Sequence, residues 1–346
     1  MVLRNECEGR GPAVVTFGEP MLRYSVPQGD RLWEARSFRI HPGGAELNVA
    51  ADLASLGDSV CYVTALPPSP LGLLVRRMLD AYRVRVEGDL AAPGRVGVYY
   101  YEPGVPPRPG VVTYDREGSS FSRHPWSRFQ WEGLLEPGGV FLTTGITAAL
   151  GPEPLAGVRS GLEAAARAGA TAVFDVNYRA KLWSPDEARR AILPLLEHVE
   201  VLFTSVPDAV RVLGAPEIPP ENLPAWLGER FNLRAVSVVH TPIGGGRRAG
   251  READAPIQWR AIAWREGERA LWDQPGGVVT IDRLGAGDAY AAGFLWAIRQ
   301  GRSLGEAVRY GSAMMALKNT VNGDFCPVWP EELEAVAAGE SAGVQR

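Results

Sequence analysis

From about residue 13 to residue 336 the chain alternates short, unbroken apolar runs with longer stretches in which apolar positions recur every three or four residues. The runs are AVVTF (13–17), VCYVTA (60–65), GVFLT (139–143), TAVFDV (171–176), VEVLFT (199–204) and AVSVVH (235–240). Short and rich in β-branched residues, they read as strands buried on both faces. Between them AELNVAADLASLG sets Leu47, Ala50, Leu53 and Ala54 on one helical face, and PLAGVRSGLEAAARAG and SPDEARRAILPLLEHV read as further helices. In the last, Ser184 is placed to cap the helix and Pro185 to fill its first position. Strands alternating with helices predict the α/β class, with a mostly parallel sheet covered by helices.

Two stretches break the alternation. Residues 19–41 and 95–121 are rich in strand formers, Gly and Pro and show no helical period, as surface hairpins would.

Composition narrows the class only a little. The 346 residues suffice for one large core and do not force a division, so residues 13–336 are expected to form a single domain between loose tails, 1–12 and 340–346. A formal charge of −4 gives no electrostatic case for nucleic acid or an anionic membrane as partner. Cys7, Cys61 and Cys326 are odd in number, far apart and without the spacing of a disulfide framework or zinc site, so a reducing, cytoplasmic setting is expected. No apolar run reaches the roughly 18 residues of a membrane span. MVLRNECEGRGP lacks the apolar core of a secretory signal.

The densest chemistry lies in IDRLGAGDAYAAGFLWAI, residues 281–298. Gly285, Ala286 and Gly287 let the backbone turn sharply where the next helix has unpaired N–H groups, which makes an anion site. Asp288 stands at the head of that helix, where a carboxylate could take the proton of an attacking hydroxyl while the N–H groups hold charge on a transferred phosphoryl. A glycine turn with an Asp cap in any α/β protein would read the same way. Asp282 before the turn, and Ala289, Ala291, Ala292 and Gly293 after it, extend the pattern. The whole string resembles the C-terminal motif of the PfkB, or ribokinase-like, carbohydrate kinases, D-x-x-GAGD with a small-residue helix.

HPGGAELNVAADLASLG, residues 41–57, resembles the N-terminal motif of the same family. Gly43 and Gly44 lead into a helix, so backbone can lie against a polyhydroxylated ligand, and Asn48 offers a donor and an acceptor to a hydroxyl. The two motifs stand in the family's order, about 240 residues apart, and the resemblance covers residues 13–336. It implies a ribokinase-like three-layer α/β/α domain with a small β-sheet lid built from about 19–41 and 95–121. A lid that expels water is useful where hydrolysis competes with transfer to sugar.

FDVNYRAKLW, residues 174–183, ends a predicted parallel strand, and open α/β sheets bind ligands at such ends. Asp175, Asn177 and Arg179 alternate along an extended segment and are expected to share a face. Arg179 points to an acidic substrate, because a guanidinium grips a carboxylate through two parallel hydrogen bonds, unless it pairs with a local acid such as Asp186. D-x-N-x-R-x-x-L-W resembles the form found in 2-keto-3-deoxygluconate kinases, where the Asn-Tyr-Arg triplet lies between sugar acid and nucleotide. On that resemblance Tyr114 and Arg116 are substrate-contacting lid residues, Tyr99 adds an aromatic wall and Asp324, in NGDFCP, reaches the sugar hydroxyls.

The nucleotide side departs from the family pattern. Ser205-Val-Pro-Asp208 stands where relatives carry N-x-x-E, so Asp208 would support magnesium indirectly with a shorter side chain. HTPIGGGRR, with Thr241, Gly244 and Gly246, replaces a loop that usually carries a basic residue near the phosphates, and LPPSPLG (66–72) replaces an acidic turn. The resemblance implies MgATP as co-substrate, bound by Asn177, Arg179, Ser205, Thr241, Gly244, Gly246 and the Gly285–Gly287 turn. It also implies in-line transfer to a primary hydroxyl of a sugar acid, and a homo-oligomer that pairs through the lid, for which the Val98–Tyr101 run is suited. An ordinary Asp, with a pKa of about 3.9, is a weak base, so proton removal by Asp288 is expected late. A neutral ketose or ribose as acceptor, and a kinase fold that binds a sugar acid without efficient transfer, are the alternatives.

Overall fold

The computed structural model describes residues 13–105, 107–240, 257–275 and 277–340. Thr241, Gly244 and Gly246, and all but Glu340 of the two expected tails, lie outside the described residues. In the N-terminal half the strands are β1 (Val14–Phe17), β2 (Met21–Ser25), β3 (Arg39–Gly43), β4 (Val60–Ala65), β5 (Arg85–Asp89), β6 (Gly97–Glu102) and β7 (Val111–Asp115). Then come β8 (Val140–Thr144), β9 (Thr171–Asp175), β10 (Val201–Ser205), β11 (Ala235–His240), β12 (Arg260–Arg265) and β13 (Glu268–Asp273). The helices are α1 (Ala45–Ser55), α2 (Pro70–Ala81), α3 (Ser120–Arg123), α4 (Gly145–Ala148), α5 (Pro152–Ala168) and α6 (Pro185–Leu195). They continue as α7 (Val206–Arg211), α8 (Leu223–Phe231), α9 (Ala286–Arg299), α10 (Leu304–Asn319) and α11 (Pro330–Ala337).

Every strand and helix that the apolar pattern predicts forms, with ends shifted by at most two residues except at α6, which stops at Leu195 and continues as a 3-10 turn to His198. Nine strands make one sheet in the order β13-β12-β11-β10-β9-β8-β1-β4-β5. Pairing is parallel from β5 to β11 and antiparallel at β12 and β13. Helices cover both faces, which is why the central strands are apolar throughout. Leu47, Leu79, Phe294 and Met314 pack one face, and Val158, Leu162, Ile192 and Leu227 the other. Ser184 caps α6 as expected: its hydroxyl accepts the Glu187 N–H at 3.3 Å and Glu187 returns a bond to the Ser184 N–H at 2.8 Å.

The chain leaves β1 for β4 and β5 on one side, then returns to β8 on the other. Strand order therefore reverses around β1, and the carboxyl ends of β1 and β8 open the crevice where such sheets bind ligands. A second sheet, β3-β2-β6-β7, is antiparallel in its outer pairs and parallel between β2 and β6. Its strands leave from and return to that crevice, since β2 follows β1 after three residues and β3 runs straight into α1.

α9 and α10 form the tightest helix pair. Gly293 lets them approach so closely that a Cβ there would lie 2.7 Å from the Tyr310 carbonyl and 2.8 Å from Met314 Cβ. Among the described residues Cys61 and Cys326 are buried free thiols, and no helix is long and apolar enough to cross a membrane. Gly293→Ala should lower stability by about 1–3 kcal/mol through overpacking. Urea unfolding with a reduced midpoint and an unchanged slope would record it; an unchanged midpoint would mean that the helices separate without cost.

Candidate active site

A cavity of about 1000 Å³ opens at the crevice, between the large sheet and the small one. Its walls come from segments far apart in sequence: Glu19 after β1, Gly44, Glu46 and Asn48 around the start of α1, Tyr99 on β6, Tyr114 and Arg116 at β7, Arg179 and Lys181 after β9, Gly285 and Asp288 at α9, and Asp324 after α10.

Gly285 is the N-cap of α9, with φ +83, and the Asp324 carbonyl sits where its Cβ would be. Both the left-handed backbone and the contact require glycine here. Asp288 is therefore the third residue of the helix, not its cap. Ala286 is buried, and its N–H closes the turn on the Arg283 carbonyl at 3.3 Å, so this amide does not face the cavity as expected. The Gly285 and Gly287 N–H groups make no hydrogen bond to a described residue, and no side chain caps this end of the helix.

Asn48, one turn into α1, donates Nδ2–H to Asp288 Oδ2 at 2.6 Å, and its own Oδ1 is buried without a partner among the described residues. Burial pushes the Asp288 carboxyl up to about 7, against the lowering influence of the Asn48 bond and the Arg179 charge. The expectation of an ordinary, weakly basic aspartate is thereby corrected. Sequence could not show it, because the shift comes from surroundings that only the fold assembles.

The small sheet binds the other side of the cavity to the segment that leads into the Gly285–Asp288 turn. Arg23 on β2 donates to Asp324 Oδ1 at 2.8 Å and to Asp282 Oδ2 at 2.6 Å, all three side chains being buried. The Tyr99 hydroxyl donates to the second oxygen of Asp324. Gly43, at the end of β3, lies so close to this pair that a Cβ would stand 3.0 Å from Asp324 Oδ2. Gly44, with φ +142, starts α1 and presses on the Glu19 carbonyl. Tyr114 is half-exposed, its ring 5.7 Å from that of Tyr99. Arg116 donates Nε–H to buried Glu19 at 2.7 Å.

Arg179 reaches the cavity by a route the sequence did not suggest. The strand stops at Asp175; Asn177 turns into the left-handed region with φ +37 and sends its N–H back to Asp175 Oδ1 at 3.1 Å. The three side chains do not alternate along an extended segment. Arg179 lines the cavity from a loop, and Asn177 does not. Nor does Arg179 pair with Asp186, which lies 3.9 Å from Arg189; among the described residues it makes no ion pair at all. Its charge opposes the upward push of burial on Asp175, which stands at about 8, and on Asp208. Ser205 caps α7 and accepts the Asp208 N–H at 3.2 Å; neither residue lines the cavity.

Several groups here escaped the sequence. Fully buried Glu46 accepts from the Thr144 N–H at 2.9 Å, the Thr144 hydroxyl at 2.8 Å and the Thr147 hydroxyl at 2.6 Å, and burial raises its pKa. Its position two residues after Gly44 was the one available signal. Glu19, Arg23 and Lys181 carry no local pattern that sets them apart from solvated charges.

The chain belongs to the pfkB family carbohydrate kinases, whose family profile matches residues 12–240 and 264–328. It is 35% identical over 334 residues to a 2-dehydro-3-deoxygalactonokinase of Haloferax volcanii, covering 96% of this chain and 99% of that protein. Identity to a 2-dehydro-3-deoxygluconokinase of Bacillus subtilis is 28%, over 90% of each chain. A solved structure of 2-dehydro-3-deoxygluconokinase from Thermotoga maritima matches with a TM-score of 0.84 at 31% identity, covering 94% of this chain and 99% of that one.

The raised pKa of Asp288 makes a prediction for stability. The folded state holds this proton more tightly than the unfolded chain, so stability is lost as pH rises from about 4 to about 7 and then levels off. Asp288→Asn should unfold like the wild type near pH 4 and be more stable at pH 8 by on the order of 1–3 kcal/mol. Denaturant titrations at the two pH values give the comparison, and a variant less stable at pH 8 would count against a strained carboxylate.

Proposed function

We propose that this carbohydrate kinase transfers the γ-phosphoryl of MgATP to a hydroxyl of a 2-keto-3-deoxy sugar acid, of gluco or galacto configuration. The observation that carries the reading is Arg179, a cavity-lining cation without a carboxylate partner among the described residues, on the same cavity as Asp288. An acidic substrate supplies the missing partner; a neutral sugar leaves the charge unmatched. The relatives named for kinases of the two epimers support the same class.

In this reading the sugar lies between α1 and the small sheet, with Asn48 Oδ1 accepting from one of its hydroxyls. Tyr99, Tyr114 and Arg116 face it from the small sheet, which acts as a lid, while Gly43 and Gly44 leave room for it. Asp288 takes the proton of the attacking hydroxyl as its oxygen bonds to phosphorus and the bond to the β-phosphate oxygen breaks, releasing ADP. A base with a pKa near 7 is well matched to this work at neutral pH. The Gly285 and Gly287 amides, at the positive end of α9, hold the charge on the phosphoryl in transfer. The nucleotide lies beyond Arg179, toward Asn177, Ser205 and Asp208. Among the described residues no three His, Cys, Asp or Glu side chains gather to hold a metal. Mg²⁺ enters in this reading with the phosphates of ATP, with Asp208 as indirect support.

ADP release measured with both 2-keto-3-deoxy acids, fructose and ribose tests the reading. Turnover should be confined largely to the acids; no ADP above background with any of them would leave a sugar-binding protein. Asp288→Asn should lower kcat by on the order of a hundredfold to ten-thousandfold. In the wild type, kcat should rise with pH through about 7 and then flatten, and a flat profile would remove Asp288 as the base. Arg179→Ala should raise KM for the acid by roughly ten- to a hundredfold, the worth of a charged hydrogen bond, and leave KM for neutral sugars unchanged. An equal rise for both would make Arg179 a structural residue.

A further inference from the structure

Lys318, near the end of α10, is 0% exposed, and the chemistry above makes no use of it. A lysine is rarely buried in full unless its charge is matched, so its surroundings ask for a reason. Its Nζ donates to two backbone carbonyls, Asp282 O at 3.0 Å and Val321 O at 3.3 Å. These belong to the two segments that build the anion-holding turn. Asp282 stands three residues before Gly285, and Val321 three residues before Asp324, whose carbonyl packs on Gly285. The carboxylates of Asp282 and Asp324 supply the compensating charge, shared with Arg23. The peptide before Asp282 is also fixed, since Ile281 N–H donates to Asn319 O at 2.8 Å. Fixing these peptide planes sets the direction in which the Gly285 amide can point.

We propose that Lys318 is a positioning residue for phosphoryl transfer: a tethered cation, bound by the Asp282 and Val321 carbonyls, that holds the Gly285–Asp288 turn in its anion-binding shape. It touches neither substrate nor reacting atoms. Its removal leaves two carbonyl oxygens and nearby carboxylates around a small void, a set of hard oxygen donors suited to a small monovalent cation. The inference rests on the reading of that turn as the phosphoryl site.

Kinetics of Lys318→Met and Lys318→Ala on the sugar acid that the wild type uses, beside thermal unfolding, provide the test. Lys318→Met keeps the apolar stem and loses the charge. Its kcat should fall by on the order of a hundredfold, as for a misplaced reacting group, with KM for the acid little changed. Lys318→Ala should be comparably slow and recover at least severalfold in added ammonium or potassium chloride but not in tetramethylammonium chloride, whose cation is too large. The wild type should respond to none of these salts. A Lys318→Met kcat within twofold of the wild type would overturn the proposal. So would a loss of activity without rescue that merely follows a loss of fold in both variants, because the role would then be structural. A wild type that turns over no sugar acid would remove the kinase reading and this one together; an active wild type with an active Lys318→Met removes only this one.

Discussion

The hydrogen bond from Asn48 to Asp288, 2.6 Å long, joins the starts of two helices that lie 240 residues apart in sequence. For it to form, α1 and α9 must pack side by side, which the small residues Ala289 and Ala292 of α9 help to allow, while Gly293 faces α10. The large sheet fixes α1 through β1 and β4, while α10 fixes α9 from behind. The bond also restrains the charge on Asp288, because it favours the ionised form while burial opposes it. A site that relied on burial alone would hold a carboxyl that stays protonated at neutral pH; one without burial would hold a weak base.

A second constraint is the compensation of buried charge. Asp282, Asp324, Arg23 and Lys318 are all withdrawn from solvent within one connected cluster, and each is matched by partners on other elements. Removing one member of such a cluster costs more than the missing bond, since the partner is left buried and unpaired. The cluster spans β2 of the small sheet, the loop before α9 and the end of α10, so it ties the sheet that roofs the cavity to the turn on its floor.

How much of this was legible in the sequence follows from what each level of structure depends on. The strands of the large sheet stood out because they are buried on both faces and so apolar without interruption. α10 did not, because it is covered by α9, α11, β12 and β13 and has no polar stripe to mark a period. The glycine turns and Asn48 were readable, since local backbone demands leave a mark in local sequence. Arg179 was recognised for its chemistry but placed on the wrong local geometry, because the left-handed Asn177 breaks the extended segment that was expected to run on to Arg179. Glu46, Glu19 and Lys318 remained hidden. Their roles come from partners far away in the chain, and a charged residue looks the same in sequence whether it is solvated or buried.

The order of strands also governs how the chain acquires its site during synthesis. β1 is made first, yet it ends in the middle of the sheet, between β4 and β8, and the cavity beside it is closed only by α9 and by Asp324 near the far end. Until those last segments leave the ribosome, the apolar face of α1 that α9 will cover has no partner, and Arg23 lacks both of its carboxylates. The distant pairings make folding slow and leave sticky surface exposed in the nascent chain. The end of the chain therefore completes what the start began: a chain cut short before residue 324 would keep every strand named above and Asp288, and lose the Asp324 carboxylate that Arg23 and Tyr99 bind.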